Sequence, residues 1–161
     1  MASIAATVST EVDSDQIKSF EHIVPIDLTS IFTGYGPLPA VTGTQDQIGG
    51  WDEAGQTRIV HLSDGSSAQE MLTKYGHPRY FSYTVSGFTG ALRFFTSGAD
   101  GEWWFESNAS GKTLIKWRYA FNPVSVFAVP VLWFITKFLW RGYMKKALLL
   151  SKNQLELLEE I

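Results

Sequence analysis

The charged residues best suited to holding a small molecule lie on two neighbouring predicted strands. Arg58 and Glu70 flank the dipeptide Asp64-Gly65, a strong hairpin signal. With a three-residue loop we expect Val60 to lie opposite Glu70, so that Arg58 and Glu70 are diagonal neighbours on one face; a two-residue turn would separate them. Facing inward, they would form a buried ion pair able to orient a polar group of a ligand. Facing outward, they would be a structural salt bridge.

Residues for acid–base catalysis are few. A general acid or base must lie within hydrogen-bond reach of its substrate, and Glu70, Tyr83 and His61 are the only candidates, none with a second residue at diagnostic spacing. Whether the protein is an enzyme therefore stays open, and no catalytic residue is assigned. His22, His61 and His77 follow no metal-binding spacing, and cysteine is absent, so we expect no metal site and no cofactor.

Large aromatic side chains, 14% of the residues, alternate along the predicted strands. Buried Trp and Tyr need partners for their N–H and O–H groups, so many of them on one concave sheet are typical of a pocket with a few polar points. A simple packed core is the alternative. The candidate ligand-binding residues are Arg58, Glu70, Phe81, Tyr83, Trp103, Phe105, Trp117, Tyr119, Leu132, Leu139 and Tyr143.

Hairpins of alternating residues must position these side chains. If Ser107 lies opposite Thr113 in the last hairpin, then Trp103 lies opposite Trp117, and one face of the pair is apolar. Asp27 offers a cap for a short helical piece at 28–32, and 34–43 is predicted as a loop. The predicted strands are 20–26, 56–62, 67–73, 79–85, 102–107 and 112–121.

One long amphipathic helix is predicted from about Pro130 to Glu159. Its inward stripe is Leu132, Ile135, Leu139, Tyr143, Ala147 and Leu150, and Lys137, Arg141 and Lys145 form a separate basic row. We expect a structural helix rather than a membrane anchor, because Lys137 interrupts its apolar run. The outer aromatic residues could meet a second copy of the chain or a bilayer surface, and both partners stay open.

Several motifs occur in a characteristic order between about residues 17 and 155. They are Gly55-Gln-Thr-Arg58 before a strand, the Asp64-Gly65 hairpin, Glu70 on the returning strand, Thr113-x-x-x-Trp117, and Trp140-Arg-Gly-Tyr-Met144 in the helix. In this order they resemble the SRPBCC, or START-like, superfamily of polyketide cyclase/dehydrase-like proteins. The resemblance implies an α+β helix-grip fold: a curved antiparallel sheet of six or seven strands, wrapped around a long C-terminal helix, with an internal apolar cavity.

The resemblance and the residues together predict binding of a small hydrophobic ligand that is lipid-, polyketide- or isoprenoid-like. The alternatives are a cyclase or dehydratase enzyme and a membrane-associated quinone- or lipid-binding chaperone. The predicted organisation is an N-terminal arm or accessory strand at 1–16 and one ligand-binding domain at 17–161. A net charge of −3 argues against nucleic acid as a partner. Because residues 1–16 lack the features of a secretory signal, we expect a cytoplasmic location.

Overall fold

Seven antiparallel strands form one sheet in the order β1-β7-β6-β5-β4-β3-β2. The computed structural model describes residues 2–160. The C-terminal helix lies across the concave face, which confirms the predicted α+β helix-grip architecture with seven strands. The strands are β1 (Ile4–Val12), β2 (Val41–Gln45), β3 (Thr57–Leu62), β4 (Ser67–Gly76), β5 (Tyr80–Ser86), β6 (Thr96–Ser107) and β7 (Thr113–Pro123).

The N-terminal region differs from the predicted strand at 20–26. Residues 4–12 are edge strand β1, paired with β7 along its whole length. Helix α1 (Gln16–Ile23) follows, because the Asp15 carboxylate accepts from the Lys18 amide at 2.8 Å and caps its first turn. Phe20 and Ile23, three residues apart, are the buried face of this helix, and a strand would have separated them. The Asp27-capped turn at Leu28–Ser30 is confirmed.

Register in the two hairpins decides which side chains face the helix. In the β6–β7 hairpin, Ser107 lies opposite Thr113 and Trp103 opposite Trp117, as predicted. In the β3–β4 hairpin, Arg58 lies directly opposite Glu70, so the predicted diagonal register was wrong. The turn has the expected three residues, but it comprises 63–65 instead of 64–66, because the Leu62 amide donates to the Ser66 carbonyl at 2.9 Å. This shift of one residue moves the pairing by two residues and keeps both charges on one face.

The long C-terminal helix is confirmed, with a local change of geometry in its middle. It comprises α2 (Val129–Phe134), a π-helical segment (Ile135–Trp140) and α3 (Arg141–Glu159), with no break between them. A π turn inserts an extra residue and rotates the following face. Within the predicted inward stripe Leu132, Tyr143 and Ala147 are buried, but beyond the π segment Met144 and Leu148 are buried beside them.

Candidate functional site

A cavity of about 330 Å³ lies between the concave face of the sheet and the C-terminal helix. Residues of α1, of strands β2 to β7 and of the helix line it, and most of them are aliphatic or aromatic. The volume is at the lower end of the range of ~300–1,000 Å³ that is usual for small-molecule sites. Eight of the eleven residues predicted from the sequence lie on its wall: Arg58, Glu70, Phe81, Tyr83, Trp103, Tyr119, Leu139 and Tyr143.

The other three predicted residues, Phe105, Trp117 and Leu132, lie behind the wall, which corrects their assignment. Phe105 packs against Phe20 of α1, with ring centroids 5.2 Å apart. Trp117 stacks on Trp103 at 4.6 Å, and Trp103 takes the side toward the cavity. Leu132 is fully buried under the start of the helix, one turn before Ile135 reaches the cavity. All three support the wall, because each is packed against residues of the core.

A glycine on β6 determines where the Tyr83 ring lies. A Cβ atom at Gly101 would stand 2.2 Å from Cζ of Tyr83, so the ring rests directly on the β6 backbone. Trp117 donates its Nε1 hydrogen to the Tyr83 hydroxyl at 3.1 Å. The hydroxyl therefore acts as an acceptor toward the core, and its own proton is available to donate to another group.

Two of the three tyrosines of the wall, Tyr83 and Tyr119, are deeply buried and held in their neutral form. Burial raises the pKa of Tyr83 well above its usual value, and the nearby Glu70 carboxylate raises it further. Burial likewise raises the pKa of Tyr119, with Tyr83 and Glu70 as smaller causes. At neutral pH both side chains therefore keep their protons and offer hydrogen-bond donors.

The one charged pair on the wall is nearly withdrawn from solvent. Arg58 donates to Oε1 of Glu70 from Nε at 3.0 Å and from Nη2 at 2.6 Å. The Arg58 side chain is 5% exposed and that of Glu70 11% exposed. Both bonds end on one carboxylate oxygen, so Oε2 has accepting capacity left. The two formal charges cancel, and the polar end of the cavity is electrically neutral.

Trp51 covers the other side of the Arg58 guanidinium. The guanidinium carbon lies 4.0 Å from the centroid of the indole ring, a cation–π contact. Trp51 has a φ of 58° and is 1% exposed, so the β2–β3 loop turns through a left-handed residue and places the ring inside the core. Left-handed backbone costs a non-glycine residue about 1–3 kcal/mol, which the burial of the indole offsets. The sequence analysis missed Trp51, because it lies in a loop with no periodic signal.

The cavity opens at one end, where its lining residues are only partly buried. Four segments meet there: the loop at 34–40, the β3–β4 turn, the β5–β6 connection at 87–95, and the π-helical segment. We call this end the rim. Leu92 and Phe95 line the cavity from the β5–β6 connection, and Ile135 and Leu139 line it from the helix. Leu92 and Phe95 were not predicted, since short loops between strands carry no periodic pattern of apolar residues.

The loop at 34–40 packs closely against the helix, at a glycine, as Tyr83 packs against Gly101 of β6. The Tyr35 ring lies over Gly142, where a Cβ would stand 2.3 Å from the Tyr35 hydroxyl oxygen. The Tyr143 hydroxyl donates to the Pro39 carbonyl at 2.8 Å and accepts from the Gly34 amide at 3.0 Å. Lys146 donates to the Gly34 carbonyl at 2.7 Å. One side of the rim is thus fixed to the helix by direct hydrogen bonds.

The histidines lie outside this cavity. His61 contacts Gln45 at 2.8 Å, His22 contacts Gln154 at 2.9 Å, and His77 contacts Glu21 at 3.0 Å. None is among the lining residues. Within residues 2–160, no three His, Cys, Asp or Glu side chains are grouped closely enough to hold a metal ion.

Solved structures match this chain over nearly its whole length, whereas no family model and no curated protein matches it significantly. The protein XoxI from Bacillus cereus is 20% identical, with a TM-score of 0.64 over 97% of this chain and 98% of that chain. Ginseng major latex-like protein 151 from Panax ginseng is 12% identical, with a TM-score of 0.69 over 95% and 97%. Ara h 8.0201 is 15% identical, with a TM-score of 0.64 over 96% and 98%.

This chain has a helix-grip fold. The motif order predicted it, and the full-length structural matches confirm it. At these identities the likeness concerns the fold and leaves the ligand and any reaction undefined. Within residues 2–160, no helix combines the length and the apolar character that a membrane span requires.

Proposed function

We propose that the protein binds a small hydrophobic molecule in the cavity, with an uncharged polar end against Arg58, Glu70 and Tyr83. The observation that carries this function is an apolar cavity whose one charged pair is already neutralised within the wall. Burial of apolar surface is worth ~25 cal/mol per Å², so an apolar body can bind tightly with few hydrogen bonds. A lipid-, polyketide- or isoprenoid-like alcohol or ketone has the required chemistry.

Two groups of the wall complement such a polar end. Oε2 of Glu70 can accept from a ligand hydroxyl, and the Tyr83 hydroxyl, already an acceptor from Trp117, can donate to a hydroxyl or a carbonyl. A carboxylate ligand would add an unpaired charge next to Glu70, because Arg58 is already engaged. A buried charge without a partner is strongly unfavourable, so we expect neutral ligands to be selected over anionic ones.

The candidate acid–base groups favour binding over the cyclase or dehydratase alternative, because none of them is both in the cavity and free to take up a proton. Glu70 is held by Arg58 as an ion pair, and burial keeps Tyr83 protonated at neutral pH by raising its pKa. His61 lies outside the cavity. A general base must be free to accept a proton near the operating pH, and a binding wall has no such requirement.

Competitive displacement of Nile red tests the proposed function. Decanol should displace the dye from the wild type at least about tenfold more effectively than decanoate, a difference of ~1.4 kcal/mol. Glu70→Gln leaves the Arg58 guanidinium without its counter-charge and should reverse the preference toward decanoate. The matched control is Glu102→Gln, which changes the 3.5 Å pair with Arg118 outside the cavity and should leave the preference unchanged. Failure of the wild type to bind the dye, or an unchanged preference in Glu70→Gln, would contradict the assignment.

A further inference from the structure

A row of large apolar side chains is exposed along the start of the C-terminal helix. Val131, Phe134 and Phe138 follow one another at steps of three and four, so they share one side of the helix, and Phe127 lies just before it in a 3-10 turn (Val126–Ala128). Phe127 is 89% exposed and Phe138 58% exposed. Trp133 joins the row, with its ring 5.8 Å from Phe138, and Phe134 lies 5.2 Å from Phe138. These five residues are called the apolar surface below.

The apolar surface adjoins the rim of the cavity. Ile135 and Leu139 line the cavity, and Phe134 and Phe138 are their immediate neighbours in the chain. On the opposite side of the rim, Phe94 is exposed within the β5–β6 connection. A contact that covers the apolar surface would therefore lie next to the opening of the cavity.

The helix that carries the apolar surface contains basic residues, and the chain around that surface contains no acidic ones. Between Glu106 and Glu156 the sequence contains no Asp or Glu, although the whole chain carries a net charge of −3. The β5–β6 connection adds Arg93, whose guanidinium carbon lies 4.6 Å from the Phe94 ring, and no acidic residue. Asp64 of the β3–β4 turn lies beside Gly90 of that connection, with its carboxylate bound by Ser66. The basic residues of the helix before Glu156 are Lys137, Arg141, Lys145, Lys146 and Lys152.

We propose that the apolar surface docks on an anionic lipid bilayer, with the rim facing the membrane. Exposed aromatic and aliphatic side chains on one side of a helix, next to Lys and Arg, are the features of an interfacial helix that enters a bilayer by ~5–10 Å. Arg141 and Lys145, both exposed, follow Lys137 at four-residue steps and would reach the anionic headgroups. Such docking does not require a ligand in the cavity, so it stands independently of the proposed function.

A second copy of the chain fits this surface less well than a lipid surface does. A symmetric dimer through the apolar surface would bring the Lys137, Arg141 and Lys145 rows of the two copies together. Like charges closer than the Debye length of ~8 Å repel each other at physiological salt. No carboxylate of the same helix is available to compensate them before Glu156. An anionic bilayer supplies the missing negative charge.

Vesicle co-sedimentation of the full chain tests the docking. The wild type should sediment with phosphatidylglycerol vesicles and not with phosphatidylcholine vesicles. Arg141→Gln with Lys145→Gln should weaken binding by about fivefold for each charge removed, from ~1 kcal/mol per cation near the surface. Its control is Lys74→Gln with Lys116→Gln, which removes the same charge from two exposed residues of the sheet. Phe134→Ser with Phe138→Ser should weaken binding at least about tenfold, whereas Leu157→Ser with Leu158→Ser, at exposed leucines near the helix end, should not.

Fluorescence reports which residue enters the lipid. Phosphatidylglycerol with brominated acyl chains should quench tryptophan emission of the wild type. Trp133→Phe should remove most of that quenching, because Trp133 is exposed, Trp104 and Trp140 are half-buried, and Trp51, Trp103 and Trp117 are buried. The circular dichroism spectrum and the urea midpoint of each variant should stay at the wild-type values, which shows that the fold is intact. Equal sedimentation with both kinds of vesicle, or quenching unaffected by Trp133→Phe, would overturn the docking. So would a wild-type dimer, seen by analytical ultracentrifugation, that Phe134→Ser with Phe138→Ser dissociates.

Discussion

Removal of Arg58 alone should be among the most destabilising single changes in the cavity wall. Arg58→Met keeps most of the side-chain stem over Trp51 but leaves the Glu70 carboxylate, 11% exposed, without the two bonds at 2.6 and 3.0 Å. Breaking a buried pair from one side typically costs ~3–5 kcal/mol. With a urea m value of about 2 kcal/mol per M, the unfolding midpoint should fall by about 2 M.

The double variant separates the cost of an unpaired charge from the value of the pair. Arg58→Met with Glu70→Leu removes both charges and should be within about 1 kcal/mol of the wild type, or more stable, since buried pairs are often replaceable by apolar groups. Arg118→Met is the matched control, because Arg118 and Glu102 are 38% and 29% exposed and their contact is 3.5 Å long. It should cost less than about 1 kcal/mol.

Urea denaturation at neutral pH, followed by circular dichroism, measures all four proteins. A loss below about 1 kcal/mol for Arg58→Met, equal to that of the control, would refute the reasoning. It would mean that water reaches the Glu70 carboxylate freely, and the polar end of the cavity would then be hydrated rather than dry.

Three further predictions follow from the geometry of the wall and of α1. Gly101→Ala should push the Tyr83 ring toward the cavity and break its hydrogen bond to Trp117, at a cost of about 1–3 kcal/mol in stability. The affinity for Nile red should fall as well, so the near-ultraviolet circular dichroism spectrum and the dye titration should change together. Because burial raises the pKa of Tyr83 and Tyr119, folding keeps both protonated, so their contribution to stability is intact below pH ~10 and is lost as the pH rises above it. Thermal melts between neutral pH and pH ~11 should show this fall, and an unchanged melting temperature would contradict it. Asp15→Ala should cost about 0.5–2 kcal/mol by uncapping α1, measured by urea denaturation against the exposed control Glu53→Ala.

The β6–β7 hairpin shows what local pattern can predict. Its turn and its alternation of aromatic and charged residues fixed the register, and Trp103 lies opposite Trp117 as expected. The prediction at 20–26 failed because a short apolar run suits a buried strand as well as a helix face, and only the cap at Asp15 separates the two.

Other features depend on contacts between distant parts of the chain. Trp51 reaches Arg58 through a loop whose conformation is set by burial, and no local pattern reports it. The π-helical segment moves Met144 into the buried face, although strict helical spacing favours Tyr143 and Ala147 alone. The closeness of Tyr83 to Gly101 is likewise visible only after β5 and β6 pair.

The pairing of the first strand with the last has a consequence for the order of events during synthesis. Val8 on β1 lies opposite Trp117 on β7, about 110 residues later in the chain. At the usual ~5–20 residues per second, a ribosome needs roughly 5–20 s to make the intervening segment. Throughout that time β1, with its alternating apolar face of Ala6 and Val8, has no partner strand. The nascent chain therefore carries an unpaired strand until β7 has been made, and a chaperone that shields such edges would act on this protein before its sheet closes.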